Sequence, residues 1–107
     1  MPLKSDRQLK KYFNNFNRLY FDGQLPDTTC VWWEPLGGTT FGDCFYLEDE
    51  KVWRIRINPF VGGWRTIYRM TLLHEMIHIK CGSAHGVKFD KERQRLLGFK
   101  KIRDLVL

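Results

Sequence analysis

A chain of 107 residues, 43% hydrophobic, 15% aromatic and 28% charged, has room for one core and enough apolar side chains to build it. That excludes a disordered polyelectrolyte, and the lack of any apolar run near the roughly 20 residues that cross a bilayer argues against a membrane-spanning helix. Eighteen Lys and Arg against twelve Asp and Glu leave a net charge of +6, which favours anionic partners over cationic ones.

The opening "MPLKSDRQLKK" lacks the apolar stretch of a signal peptide. Cys30, Cys44 and Cys81 are odd in number and form no CxxC pair, which fits reduced thiols better than a disulfide frame or a zinc ribbon. The expectation is one soluble, intracellular domain over residues 1–107, in cytoplasm, nucleoid or nucleus, not secreted and monomeric. The basic residues are spread along the chain (Lys10, Lys11, Arg54, Arg56, Arg65, Arg69, Lys100, Lys101). They read first as a solvated surface, with DNA, single-stranded or duplex, as the partner a basic surface would take.

Leu9, Tyr12, Phe13, Phe16, Leu19 and Tyr20 recur at helical spacing and predict an amphipathic first helix. Ser5 with Gln8 has the pattern of a capping box, and Gly23 supplies a left-handed stop. "TTCVWWE" (residues 28–34) is β-branched and aromatic and ends at Pro35 and Gly37-Gly38, as a strand entering a turn would. "TTFGDCFYL" predicts a second strand, "EDEK" a turn, and "VWRIRIN" a third strand with Trp53, Ile55 and Ile57 on one face and Arg54 and Arg56 on the other.

After Pro59 and Gly62-Gly63, "RTIYRMTLLHEMIHIKC" predicts a second helix with Ile67, Met70, His74, Ile77 or His78, and Cys81 on its apolar stripe, stopped at Gly82. Phe89, Leu96 and Leu97 suit a third helix ending near Gly98. The tail "KKIRDLVL" either packs through Ile102, Leu105 and Val106 or frays. The order of elements implies an α+β domain: an N-terminal helix, a three-stranded antiparallel sheet, the HExxH helix and a following C-terminal helix, with helices covering one face of the sheet.

All three histidines fall between His74 and His85. Residues four apart share one helix face, so His74 and His78 can aim two imidazoles at one ion at about 2.0–2.1 Å. Glu75, about a third of a turn away, can reach a water on that ion. Gly82 lets the chain reverse, so that His85 can swing back as third ligand and leave a fourth position open. Asp90 and Glu92 are rival third ligands. The metzincin spacing fails, because it needs Gly at 81 and His at 84, where this chain has Cys81 and Ala84. A closed site of His74, His78, Cys81 and His85 would hold zinc without chemistry, but Glu75 would then be a needless charge beside it.

An open site implies hydrolysis: zinc acidifies a bound water to a pKa of roughly 7, Glu75 takes its proton, and the nucleophile attacks a polarised peptide carbonyl. Tyr68, Tyr46, Arg65 and Arg69 are the candidates for a second oxyanion donor. Trp32, Trp33, Trp53 and Trp64 are candidates for core packing or for stacking unpaired bases, with Trp32 and Trp33 on opposite faces of their strand.

Four segments, "YFDGQLP", "IRINP", "TLLHEMIH" and "HGVKF", resemble the SprT-like metalloproteases, a zincin family that includes the Spartan proteases acting on proteins crosslinked to DNA. The resemblance covers about residues 8 to 97. It implies zinc as cofactor, His74, His78 and His85 as ligands and Glu75 as the catalytic residue. It further implies a protein substrate associated with DNA. Many members carry a C-terminal zinc ribbon or DNA-binding tail, and no cysteine follows Cys81 here. The rival reading is a non-catalytic, zinc-stabilised DNA-binding or adaptor module.

Overall fold

The computed structural model describes residues 4–106, with no description of the Leu105 and Val106 side chains. Helix α1 (Arg7–Tyr20) is capped by Asp6, whose carboxylate accepts from the Leu9 amide at 2.9 Å. Ser5 is therefore not the cap. Its hydroxyl oxygen accepts instead from the Val31 amide at 3.0 Å and ties the helix start to the sheet. Leu9, Phe13, Phe16 and Tyr20 are buried while Leu19, one step off that stripe, is exposed. Asp22 and Gly23 take positive φ, and the Gly23 amide returns to the Asn17 carbonyl. Asn17 is itself buried, and its side chain pairs both backbone groups of Leu25 at 2.9 and 3.0 Å.

Strands β1 (Cys30–Trp33), β2 (Gly42–Leu47) and β3 (Val52–Ile57) form one sheet in the order β1-β3-β2. The α+β class stands, but the sheet is mixed. β2 pairs β3 antiparallel across the 48–51 turn, whereas β1 pairs β3 in parallel, Val31 opposite Ile55. After β1 the chain crosses past the end of the central position to the far edge, and β3 returns between the two, in the direction of β1. Strand alternation could not reveal that. Ile55 and Ile57 lie fully buried on the helix side, while Arg54 and Arg56 share the other face with Trp32 and Phe45.

Helix α2 (Arg65–Cys81) contains neither Gly nor Pro and stops at Gly82, whose φ of 95° suits only glycine comfortably. It packs on β2, β3 and α1 on one side and on α3 (Val87–Leu97) and α4 (Lys100–Val106) on the other. This sandwiching changes the expected stripe. Tyr68, Leu72, Leu73, Met76 and Ile77 are buried, whereas Ile67, Met70, His74 and Cys81 stay partly or largely open. The tail packs through Ile102, which is buried; the expectation for Leu105 and Val106 lies outside the described residues. Among the described residues no helix is long and apolar enough to cross a membrane.

Candidate metal centre

The loop from Gly82 to Gly86 returns His85 to the face of α2 that carries His74 and His78. The nitrogen donors of the three lie within 4.8 Å of one another, with His74 Nε2 and His85 Nε2 at 3.1 Å. A tetrahedral zinc with bonds near 2.05 Å needs donors about 3.3 Å apart, inside the range these donors already span. His78 Nδ1 lies 2.9 Å from the Gly82 carbonyl oxygen, which can only accept, so Nδ1 carries the proton and Nε2 keeps its lone pair. Burial, reinforced by the charges His78 and His85 would carry, pushes His74 down to about 4. At neutral pH it offers an uncharged imidazole. The donor set therefore fits a borderline-soft divalent ion such as zinc.

Phe89 forms the floor. It is 4% exposed, and its ring centroid lies 4.9, 4.8 and 4.8 Å from those of His74, His78 and His85. An apolar floor limits where the imidazoles can go and lowers the local dielectric. Sequence periodicity placed Phe89 in the core of α3 but gave no sign that all three rings rest on it.

Cys81, Asp90 and Glu92, weighed as ligands from the sequence, stand outside the cluster. The Cys81 thiol points to the Lys88 carbonyl at 3.6 Å. Asp90 is exposed beside Arg93. Glu92 is buried between Lys80 at 2.9 Å and the Arg95 guanidinium at 2.7 Å, and these partners hold its carboxyl below the usual range.

Glu75 is 6% exposed and lines two clefts that flank His74. Burial, with the Asp43 charge adding to it, pushes its carboxyl up to about 7. Asp43 accepts a two-pronged bond from Arg56, which also reaches Glu34, and these carboxylates hold the Arg56 guanidinium more firmly protonated than usual. Cys44, on the neighbouring strand position, is pushed up to about 12 by burial, then by Glu75 and Asp43, and is an inert thiol.

None of the four oxyanion candidates lines either cleft. Tyr68 is buried edge-on to Trp33 and Tyr12, Tyr46 packs on Trp53, Arg69 lies over the Tyr12 and Phe16 rings, and Arg65 bonds Tyr68. The lining comes instead from Thr39, Phe41, Gly42, Asp43, Cys44 and Ser83. Only the inward register of Gly42 and Cys44 on β2 could have pointed to them.

An HExxH helix backed by a small sheet, with a third histidine returned by the next loop, defines the zincin-type, metalloprotease-like class of domain. Within it the chain belongs to the SprT-like family, whose model matches residues 9–101. No curated protein sequence matches the chain.

Proposed function

We propose that the chain is a zinc-dependent endopeptidase acting on proteins associated with or crosslinked to DNA. The observation that carries this reading is the placement of the buried Glu75 carboxyl in the clefts beside three clustered imidazoles. His74, His78 and His85 would hold the ion, which when bound supplies Lewis-acid polarisation of a carbonyl and a water nucleophile at neutral pH. Glu75 accepts the proton lost by the attacking water and returns it to the departing amine. Burial favours the protonated carboxyl and a bound dication would favour the carboxylate, so the two oppose each other at Glu75 and keep both protonation states within reach. Glu75 is itself only 6% exposed, and that burial strengthens its charge interactions.

β2 pairs only with β3 among the described strands, so its other edge offers unpaired N–H and C=O groups next to Glu75. An extended polypeptide added there would pass the histidines in a conformation open to attack. A DNA contact is supported by a different region. Lys88 and Lys91 line a groove between α2 and α3 beside Lys80 and Arg95, which are tied to Glu92, while Arg54, Arg56 and Arg69, singled out in the sequence, are engaged with carboxylates or aromatic rings.

The test offers zinc-loaded protein casein and a DNA-crosslinked protein, with and without free DNA, alongside Glu75→Gln. Cleavage by the parent chain and not by the variant is expected. Tight DNA binding with no cleavage by either would favour the non-catalytic module instead.

A further inference from the structure

Phe41, Phe60 and Trp64 are exposed by 42%, 61% and 53%, yet they form one continuous aromatic row. The Phe41 and Phe60 ring centroids lie 6.1 Å apart, and those of Phe60 and Trp64 lie 5.7 Å apart at 74°. Three large rings gathered on the surface forgo the stabilisation that burial would give, which marks a surface that is covered in use.

The row is held in place by a buried polar group. Asn58, 7% exposed, donates its amide N–H to the Phe41 carbonyl at 2.8 Å and its side-chain amide to the Leu36 and Thr40 carbonyls at 3.1 and 3.0 Å. Its side-chain oxygen accepts from the Phe60 amide at 3.2 Å. Two segments far apart in sequence are thereby fixed to each other, and the fully buried Val61 anchors the turn between Phe60 and Trp64. The geometry is preorganised rather than adaptable.

The row is continuous with the candidate active site. Phe41 lines a cleft of about 410 Å³ together with Thr39, Gly42, Met70, His74 and Glu75. The free edge of β2 begins at the next residue, Gly42. A polypeptide lying on that edge and passing Glu75 leaves the strand over Phe41. With successive residues about 3.3 Å apart, a side chain two or three positions from the scissile bond would meet the rings.

We propose that Phe41, Phe60 and Trp64 form a specificity subsite that selects polypeptide substrates by an aromatic side chain near the scissile bond. This rests on the proteolytic reading above. Aromatic rings favour offset and edge-on partners, and this row leaves such positions open. Stacked nucleic-acid bases would need cations along the same path for their phosphates. The cleft lining contains no Lys or Arg, and Arg65, beside Trp64, is engaged by Tyr68.

The experiment compares peptide pairs that differ only by Phe or Ala at each position around the bond. Cleavage is measured for the parent chain, Phe60→Ala and Trp64→Ala, and binding is measured on zinc-loaded Glu75→Gln. Both truncated side chains are more than half exposed, so folding should survive. The parent chain is expected to favour Phe at one fixed position by roughly tenfold in kcat/KM, a ratio that falls toward one in both variants. Cleavage without preference, or a preference that survives both substitutions, would overturn the subsite. Selective binding by Glu75→Gln with no cleavage by the parent chain would remove the proteolytic reading and leave the subsite standing; neither cleavage nor selective binding overturns both. Loss of oligonucleotide binding in the two variants, with peptide selectivity intact, would also overturn it and assign the rings to bases.

Discussion

His78 Nδ1 and the Gly82 carbonyl oxygen, 2.9 Å apart, join a candidate ligand to the residue that ends its own helix. The glycine has two tasks there. Its positive φ turns the chain toward His85, and its carbonyl sets the tautomer of His78.

Gly82→Ala should therefore damage the site without a clash, because a methyl group at that position meets nothing within 4 Å. The φ of 95° with ψ of 177° is nearly closed to other residues, and the strain should cost about 1–3 kcal/mol in chemical denaturation. Zinc affinity should fall by roughly tenfold or more as the carbonyl shifts. Unchanged affinity would show that the carbonyl has no hold on the imidazole.

Removal of one ligand should be plain in metal content. The parent chain, prepared without chelators, is expected to carry about one equivalent of zinc, and His85→Ala far less. Added zinc should raise the melting temperature of the parent chain and not of that variant. Elemental analysis and a thermal scan check both.

Glu75→Gln should keep its zinc and lose about 10²–10⁴-fold in turnover, the size expected when a positioned proton carrier is removed. Full activity with the amide would dismiss Glu75 as the base.

Gly42→Ala examines how closely β2 and α2 approach. A methyl group there would stand 2.7 Å from Thr71 Cγ2 and 2.9 Å from the Arg56 carbonyl oxygen, so strand and helix must part. Stability should drop by about 1–3 kcal/mol, and turnover should fall because Thr71 lies one turn before Glu75. An unchanged denaturation midpoint would mean that the contact yields freely.

In metal-free protein Glu75, which is buried, and His74, which is partly desolvated, should bend the pH profile in opposite directions. Glu75 titrates near 7 in the fold against 4.5 in an ordinary environment, so the folded chain holds more protons between those values. Its contribution to stability is present below 4.5 and lost as the pH rises to about 7. His74 titrates near 4 against 6.5, the unfolded chain takes that proton first, and its contribution is lost as the pH falls from 6.5 to 4. With chelator present, Glu75→Gln should gain on the parent chain between pH 5 and pH 8 in urea denaturation. A constant difference would contradict the burial of the carboxyl.

Much of this was legible because it is local. The α1 stripe, the alternation of Ile55 and Ile57 and the His74 to His78 spacing each follow from one periodicity. Ser5 and Asp6 are both good caps, and only the distant Val31 amide decides between them. Parallel pairing of β1 with β3 was hidden for the same reason, since partner choice depends on where the chain crosses. The oxyanion candidates failed because Tyr68 and Arg69 find aromatic partners on α1 that no short window contains. Trp64 was visible as a candidate platform, but its neighbours Phe60 and Phe41 are assembled by Asn58.

Two of the three imidazoles ride on a helix enclosed by layers on both sides, and the third arrives on the short stretch between Gly82 and Gly86. All three donors are thus already gathered, His85 Nε2 standing 3.1 Å from His74 Nε2, which leaves little rearrangement for an arriving ion to impose. The residence time of an ion held there should accordingly depend more on the short stretch that carries His85 than on α2, which is packed against other elements along its length.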